Sequence, residues 1–307
     1  MHKIRSAKFI ISLVCALLTV SLIIGISVFM NRPERTDDES GETKEYIIIS
    51  SETHVAQVEL PGYPSIDYTI SEPVMEKTGG ITQQVTFYRD GNPIYGQITH
   101  PKGTGPFKTI IISHGLYSLP GRYTSKAISY SEDGFAVIEF QYQNGNPPDD
   151  YSDPEYLGDY IFEEILDLYA VMDSAKYLPY VDASNMYLYG HSMGGLVASY
   201  VGTLRQNELK GLILVDPSFY ATDLMEFEHE EKITTDIYPL VSKCNIHVLI
   251  VTGTTGSFGE DPHFFDDARA AFPNLDYYVI EGASHSMQGE AGEHLVDISV
   301  EAIESWG

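Results

Sequence analysis

The chain has 307 residues, a length that suits one large α/β domain or two small ones. An apolar content of 43% and an aromatic content of 12% support a packed core and exclude a disordered chain. With 44 acidic against 18 basic side chains, the formal charge of −26 disfavours nucleic acid and anionic membrane surfaces as partners and suits a well-solvated surface.

Residues 1–8 carry His2, Lys3, Arg5 and Lys8 and read as a short cytoplasmic basic region. Residues 9–30 then run without a charge or a proline, long enough to cross a bilayer as a helix. There is no A-x-A-like exit, so an uncleaved transmembrane signal-anchor is expected, with the positive flank inside and the rest of the chain outside the cytoplasm. A cleaved signal peptide, releasing a secreted protein, is the second reading. Residues 31–45 form an acidic linker with Asp37, Asp38, Glu39 and Glu42, and 46–307 read as the folded domain. The two cysteines are Cys15, inside the apolar run, and Cys244, so no intrachain disulfide is expected.

From 46 to about 96 the pattern is β-rich. A strand over 84–88 and a return over 94–98 are joined by Arg89-Asp90-Gly91-Asn92, a hairpin signal. Buried-type strands follow at 109–112, 136–140, 186–189, 211–215, 247–251 and 277–280, each ended by turn residues. Helical stripes lie between several of them. The clearest covers 159–176, with Ile161, Ile165, Leu168, Met172 and Ala175 on one face, and another closes the chain through Leu295, Val300 and Ile303. Strands alternating with helices predict an α/β fold with a mainly parallel sheet covered on both faces. Ligands bind such sheets at the carboxyl ends of the strands.

The stretch that organises these ends is Gly190-His191-Ser192-Met193-Gly194, a G-x-S-x-G turn between a strand and a helix. Small residues on either side let strand and helix approach while the serine hydroxyl stands clear. Ser192 is therefore the candidate nucleophile. A serine hydroxyl is weak at its own pKa and needs a base. His285 ends the last buried strand and is that candidate. Of the other histidines, His247 reads as a core or strand residue, His100, His263 and His294 as surface positions, and His114 and His191 as backbone-placed neighbours of the site.

These residues resemble the α/β-hydrolase family over roughly 83–307. Ser113-His114-Gly115 is similar to its oxyanion loop, the 190–194 turn to its nucleophile elbow, and Gly282-Ala283-Ser284-His285 to its histidine loop. Within the family the chain looks most like bacterial carboxylesterases, including cinnamoyl- or feruloyl-type enzymes, and also like the serine-aminopeptidase branch. The resemblance implies an acyl-enzyme mechanism, with the amides of Leu116 and Met193 holding the oxyanion. The triad acid departs from the family's usual Gly-Thr-x-Asp turn, which here reads Gly253-Thr254-Thr255-Gly256-Ser257. Asp216, at the end of the preceding strand, is the preferred acid. Asp261 is the alternative, with a helix N-cap ahead of 263–272 as its bland reading.

Phe219, Tyr220, Leu224, Met225 and Phe227 either form a small apolar cap or pack a loop onto the body. The acidic loop at 149–153 lacks EF-hand spacing, and no metal or organic cofactor is implied. The expected activity is a serine hydrolase, most readily a carboxylesterase acting on a small acyl or aryl ester. A serine peptidase and a non-catalytic hydrolase-fold binding module are the alternatives. Nothing in the sequence fixes the oligomeric state.

Overall fold

The structure, a computed structural model, describes residues 45–49, 55–59, 68–77, 80–118, 121–145, 154–224 and 236–307. The expected membrane span at 9–30, the linker up to Lys44, the acidic loop at 149–153, and Met225 and Phe227 lie outside the described residues. Among the described residues no helix is long and apolar enough to cross a membrane.

Strands β1 (Glu45–Ile49) and β2 (Val55–Glu59) pair antiparallel as a sheet of their own. The main sheet contains β3 (Tyr68–Lys77), β4 (Gly80–Arg89), β5 (Asn92–Pro101), β6 (Phe107–Ser113), β7 (Ala136–Phe140), β8 (Val181–His191), β9 (Gly211–Val215), β10 (His247–Thr255) and β11 (Leu275–Ser284). Its spatial order is β11-β10-β9-β8-β6-β7-β5-β4-β3. The run from β7 to β11 is parallel throughout, and β5, β4 and β3 extend it antiparallel.

The antiparallel end follows from its turn. Asp90 and Gly91 both take positive φ (52° and 79°), the two-residue hairpin geometry that an Asp-Gly pair accepts, and Arg89 pairs with Asn92 across it. The edge strand β3 has no clean alternation in the sequence. Pro73 interrupts its register on β4 at two points, which an edge position tolerates.

Among the described residues six α-helices accompany the sheet: α1 (Thr124–Glu132), α2 (Pro154–Ala175), α3 (Met193–Leu204), α4 (Ile237–Val241), α5 (Asp266–Ala271) and α6 (Glu290–Ser305). The predicted 159–176 helix begins earlier, at Pro154, where a proline's fixed φ suits a first turn. The parallel strands alternate between two cores. Ile111, Leu188, Leu212, Leu214, Val248 and Ile250 pack with α2, α3 and α4. Ile110, Ile112, Tyr189, Ile213, Leu249 and Val251 pack with α1 and α6. Both faces are thus apolar, which explains the continuous rather than alternating hydrophobic runs. Burying each such side chain is worth about 1.5–3 kcal/mol against leaving it in water. The two cores hold the carboxyl ends of β6, β8, β9, β10 and β11 in one row.

Candidate active site

Ser192 sits where β8 becomes α3, with φ 56° and ψ −121°. A non-glycine residue in that region costs about 1–3 kcal/mol and persists only when its surroundings over-determine it. Here they do. Its N–H donates to Val215 O (3.0 Å), and its carbonyl accepts from Gly195 N (2.9 Å) and Ser218 N (3.0 Å). The flanking glycines are demanded by contact. A Cβ on Gly190 would lie 2.4 Å from Gly194 O, and one on Gly194 would lie 2.1 Å from Ser113 O.

His285 directly follows β11, and Asp216 directly follows β9. The Asp216 carboxylate is completely buried, whereas the His285 ring keeps a third of its surface open. His285 Nδ1 donates to Asp216 Oδ2. The same oxygen accepts Phe258 N–H (3.2 Å), and Oδ1 accepts the Thr252 hydroxyl (2.5 Å) with the Ser257 hydroxyl 3.3 Å away. The turn that lacks the family's usual acid therefore still serves one: Ser257 and Phe258 reach back from beyond β10 to the carboxylate on β9. Asp261 remains in its own loop, where Oδ1 accepts the backbone N–H of His263 (2.9 Å), an Asx turn ahead of α5. The structure joins His285 to Asp216 and not to Asp261.

On the other side of Ser192 lies the loop that leaves β6. A Cβ on Gly115 would stand 3.0 Å from Ser192 Cβ and 3.1 Å from His191 O, so a side chain here would crowd the elbow that this loop presses against. Ser113 Oγ fixes the loop by donating to Gly194 O (2.9 Å) while accepting the Tyr142 hydroxyl (2.5 Å). Leu116 follows Gly115 in this loop. Met193 opens α3, so its N–H is among the first-turn amides that no helix carbonyl can take. The loop carrying Leu116 and the helix start carrying Met193 flank the serine.

Sequence reasoning assigned no part to Tyr123, which completes the frame. Its hydroxyl accepts Gly115 N–H (3.4 Å) and donates to His191 Nδ1 (2.8 Å), while His191 Nε2 donates to His285 O (2.7 Å). One neutral imidazole thus ties the loop that leaves β6 to the backbone of His285. Burial, outweighing the bond to His285 O, lowers the His191 pKa to about 3. Burial likewise lowers that of His114 to about 4, against the bond to Gly115 O. Nothing in the chain's periodicity singles out Tyr123, because its role comes from tertiary packing.

Other expectations change at side-chain level. His100, read as a surface residue, is buried: it stacks on Tyr180 with ring centroids 3.7 Å apart and meets Gln83 Oε1 at 3.0 Å. His247 starts β10 exposed, stacked on Trp306 rather than inside the core. His263 and His294 are exposed. Phe219 turns into the core against Phe265 and Phe272, the packing role rather than the cap role. Tyr220 stays half exposed and rests on Phe258 (5.1 Å). Phe258 stacks on Phe264 (4.9 Å) and meets the His285 ring edge-on (5.0 Å). An aromatic wall therefore borders the imidazole.

Residues 104–245 match the family model described as "Serine aminopeptidase, S33". Among curated proteins none matches the sequence. Solved structures share the fold at low identity. Est1E from Butyrivibrio proteoclasticus is 18% identical, with a TM-score of 0.54 over 74% of this chain and 100% of that one. Acetyl xylan esterase 1 from Thermoanaerobacterium sp. JW/SL YS485 is 17% identical, with a TM-score of 0.57 over 76% and 87%. Proline iminopeptidase from Mycobacterium smegmatis is 12% identical, with a TM-score of 0.54 over 73% and 98%. The mostly parallel, helix-flanked sheet, the serine on its strand-to-helix elbow and this common fold across esterases and peptidases give the chain the α/β-hydrolase fold.

Proposed function

We propose that the protein is a serine hydrolase that cleaves carboxylic esters through an acyl-enzyme. The observation that carries this reading is the pairing of the half-open His285 ring with the buried Asp216 carboxylate, beside a serine held on a strained elbow. Ser192 attacks the ester carbonyl as His285 takes its proton, forming a tetrahedral intermediate whose oxygen is held by the Leu116 and Met193 amides. The alcohol leaves with the proton from His285. Water, activated by the same imidazole, then releases the acid and frees Ser192. Asp216 fixes the ring's tautomer and stabilises the imidazolium that forms in each half.

An ester rather than a peptide is favoured by the aromatic wall of Phe258, Phe264 and Tyr220, which offers a small acyl or aryl group an apolar surface. The peptidase alternative draws on the aminopeptidase family match. Comparing p-nitrophenyl acetate with aminoacyl p-nitroanilides separates the two. A fluorophosphonate probe labels Ser192 if the reading is right; absence of an adduct, or p-nitrophenyl acetate turnover by Ser192→Ala, would leave a hydrolase-fold binding module or another nucleophile. The apolar run at 9–30 further supports a membrane-tethered enzyme facing out of the cytoplasm, with release by cleavage as the alternative.

A further inference from the structure

The antiparallel end of the main sheet carries a pocket of about 110 Å³ that the proposed mechanism leaves unused. Gln84 pairs with Gln97 across β4 and β5, and Gln97 with Glu139 across β5 and β7, so the three share one face of the sheet. Tyr95 lies two residues before Gln97, and Gln141 two after Glu139, which puts both on that face as well. The Gln141 N–H donates to Tyr95 O (2.8 Å), carrying the ladder one residue past β7. All five residues line the pocket.

The make-up of this face points to a ligand rather than to water alone. In a chain with 44 acidic side chains, a face that merely meets solvent is expected to carry free charge. The one charged group here, Glu139, is 7% exposed and already occupied. It accepts Gln97 Nε2 (2.5 Å), the Tyr123 N–H (3.2 Å) and the Thr124 hydroxyl (3.4 Å). Gln97 Nε2 gives its other N–H to Thr124 Oγ1 (2.8 Å), which leaves its carbonyl oxygen as an acceptor. Gln84 is exposed and Gln141 half-buried, and each brings an amide with two donors and an acceptor. Tyr95 is 64% exposed, more than any other large apolar side chain among the described residues. The outward groups are thus three amides and an aromatic ring, all neutral.

These groups discriminate between ligands. An anion meets no positive charge among the five, and the formal charge of −26 opposes its approach. A cation finds the only carboxylate filled. A wholly apolar body would cover the amides without replacing their hydrogen bonds. A neutral sugar ring satisfies both kinds of group. Its hydroxyls donate and accept as the amides require, and its C–H face suits the negative face of an aromatic ring. The exposed Tyr95 and Gln84 leave the pocket open, so a longer saccharide can run out of it. At its inner end the pocket reaches Tyr123, whose hydroxyl accepts the Gly115 N–H (3.4 Å) beside Ser192.

We infer that this pocket binds a neutral pyranose unit, stacked on Tyr95 and hydrogen-bonded by Gln84, Gln97 and Gln141. Its part in holding a glycan whose ester Ser192 cleaves rests on the proposed function; the binding itself does not.

The test is saturation-transfer difference NMR of the full chain, free of sugar-headed detergent, with xylotriose, cellotriose and maltotriose. None of these carries an ester, so the measurement does not depend on turnover. The expected result is transfer to the ring C–H protons of at least one trisaccharide. It should fall at least fivefold in Tyr95→Ala, an exposed position safe for folding, and severalfold in Gln141→Ala. Tyr95→Phe keeps the ring and should keep the signal. No transfer to any of the three, transfer undiminished in either alanine variant, or its loss in Tyr95→Phe would overturn the inference, even in a protein whose esterase activity is intact.

Discussion

His191 Nε2 donates to the carbonyl oxygen of His285 at 2.7 Å, so the residue that precedes the proposed nucleophile holds the backbone of the proposed base. The two rings lie 4.9 Å apart. The elbow and the histidine loop are separate in sequence, and this bond gives them one common position. On the proposed mechanism, loosening it lets the imidazole wander from the serine without touching either reacting group.

His191→Leu keeps much of the volume and removes both hydrogen bonds, leaving the His285 carbonyl without this donor and the Tyr123 O–H without this acceptor. Each buried polar group so orphaned costs about 1–3 kcal/mol. If that cost falls on the aligned state, kcat for p-nitrophenyl acetate should drop roughly ten- to hundredfold with KM little changed. Steady-state kinetics on a variant with native near-UV circular dichroism checks this. An unaltered kcat would reduce the contact to packing.

The two candidate acids separate cleanly by substitution. Asp216→Asn leaves the site nearly isosteric but offers His285 Nδ1 an amide in place of a carboxylate. A triad acid changed in this way typically costs about 10⁴-fold in kcat, because the wrong tautomer is favoured. Asp261→Asn alters an exposed Asx turn and should change kcat by no more than about twofold. Burst and steady-state rates for both variants decide the matter; the reverse ranking would assign the acid to Asp261.

The legible part of the molecule is the part governed by local pattern. Continuous apolar runs marked the parallel strands, Asp90-Gly91 marked the hairpin, and Gly190 with Gly194 marked the elbow, because each feature is a demand made by backbone geometry on neighbouring residues. Position along the sheet was legible too, since Ser192, Asp216 and His285 all close strands whose carboxyl ends share one row. What could not be read was set by contacts between distant segments. Tyr123 has a role only because α1 brings it beneath His191, and Thr252 only because β10 lies beside β9. His100 sits in a strand where alternation gives either face equal weight, and stacking on Tyr180 decides for burial. Helix α1 escaped notice because its sequence, TSKAISYSE, is short and mostly polar.

Protonation of the frame yields a last prediction, with a definite sign. In the folded chain burial holds His191 near a pKa of about 3 and His114 near about 4, whereas an unfolded histidine titrates near 6.5. Above 6.5 both states are neutral and neither group affects stability. Below 6.5 the unfolded chain binds the extra protons, so stability declines with falling pH until about 4 for His114 and about 3 for His191. Each group contributes a slope of at most about 1.4 kcal/mol per pH unit in its window. Asp167 works in the opposite sense. Burial, against the pull of Arg89, raises its pKa to about 7, so between the ordinary carboxylate range and 7 it favours folding more as the pH falls. The total curve therefore mixes signs, and a difference between variants isolates one group. His191→Gln retains an N–H able to reach the His285 carbonyl but does not titrate. In urea unfolding across this range, the stability advantage of the native chain over His191→Gln should be constant above 6.5 and shrink steadily below it. Curves that stay parallel down to pH 4 would mean that the His191 ring takes up its proton in the folded state, and that Nδ1 gives up the bond it accepts from the Tyr123 hydroxyl with the fold intact.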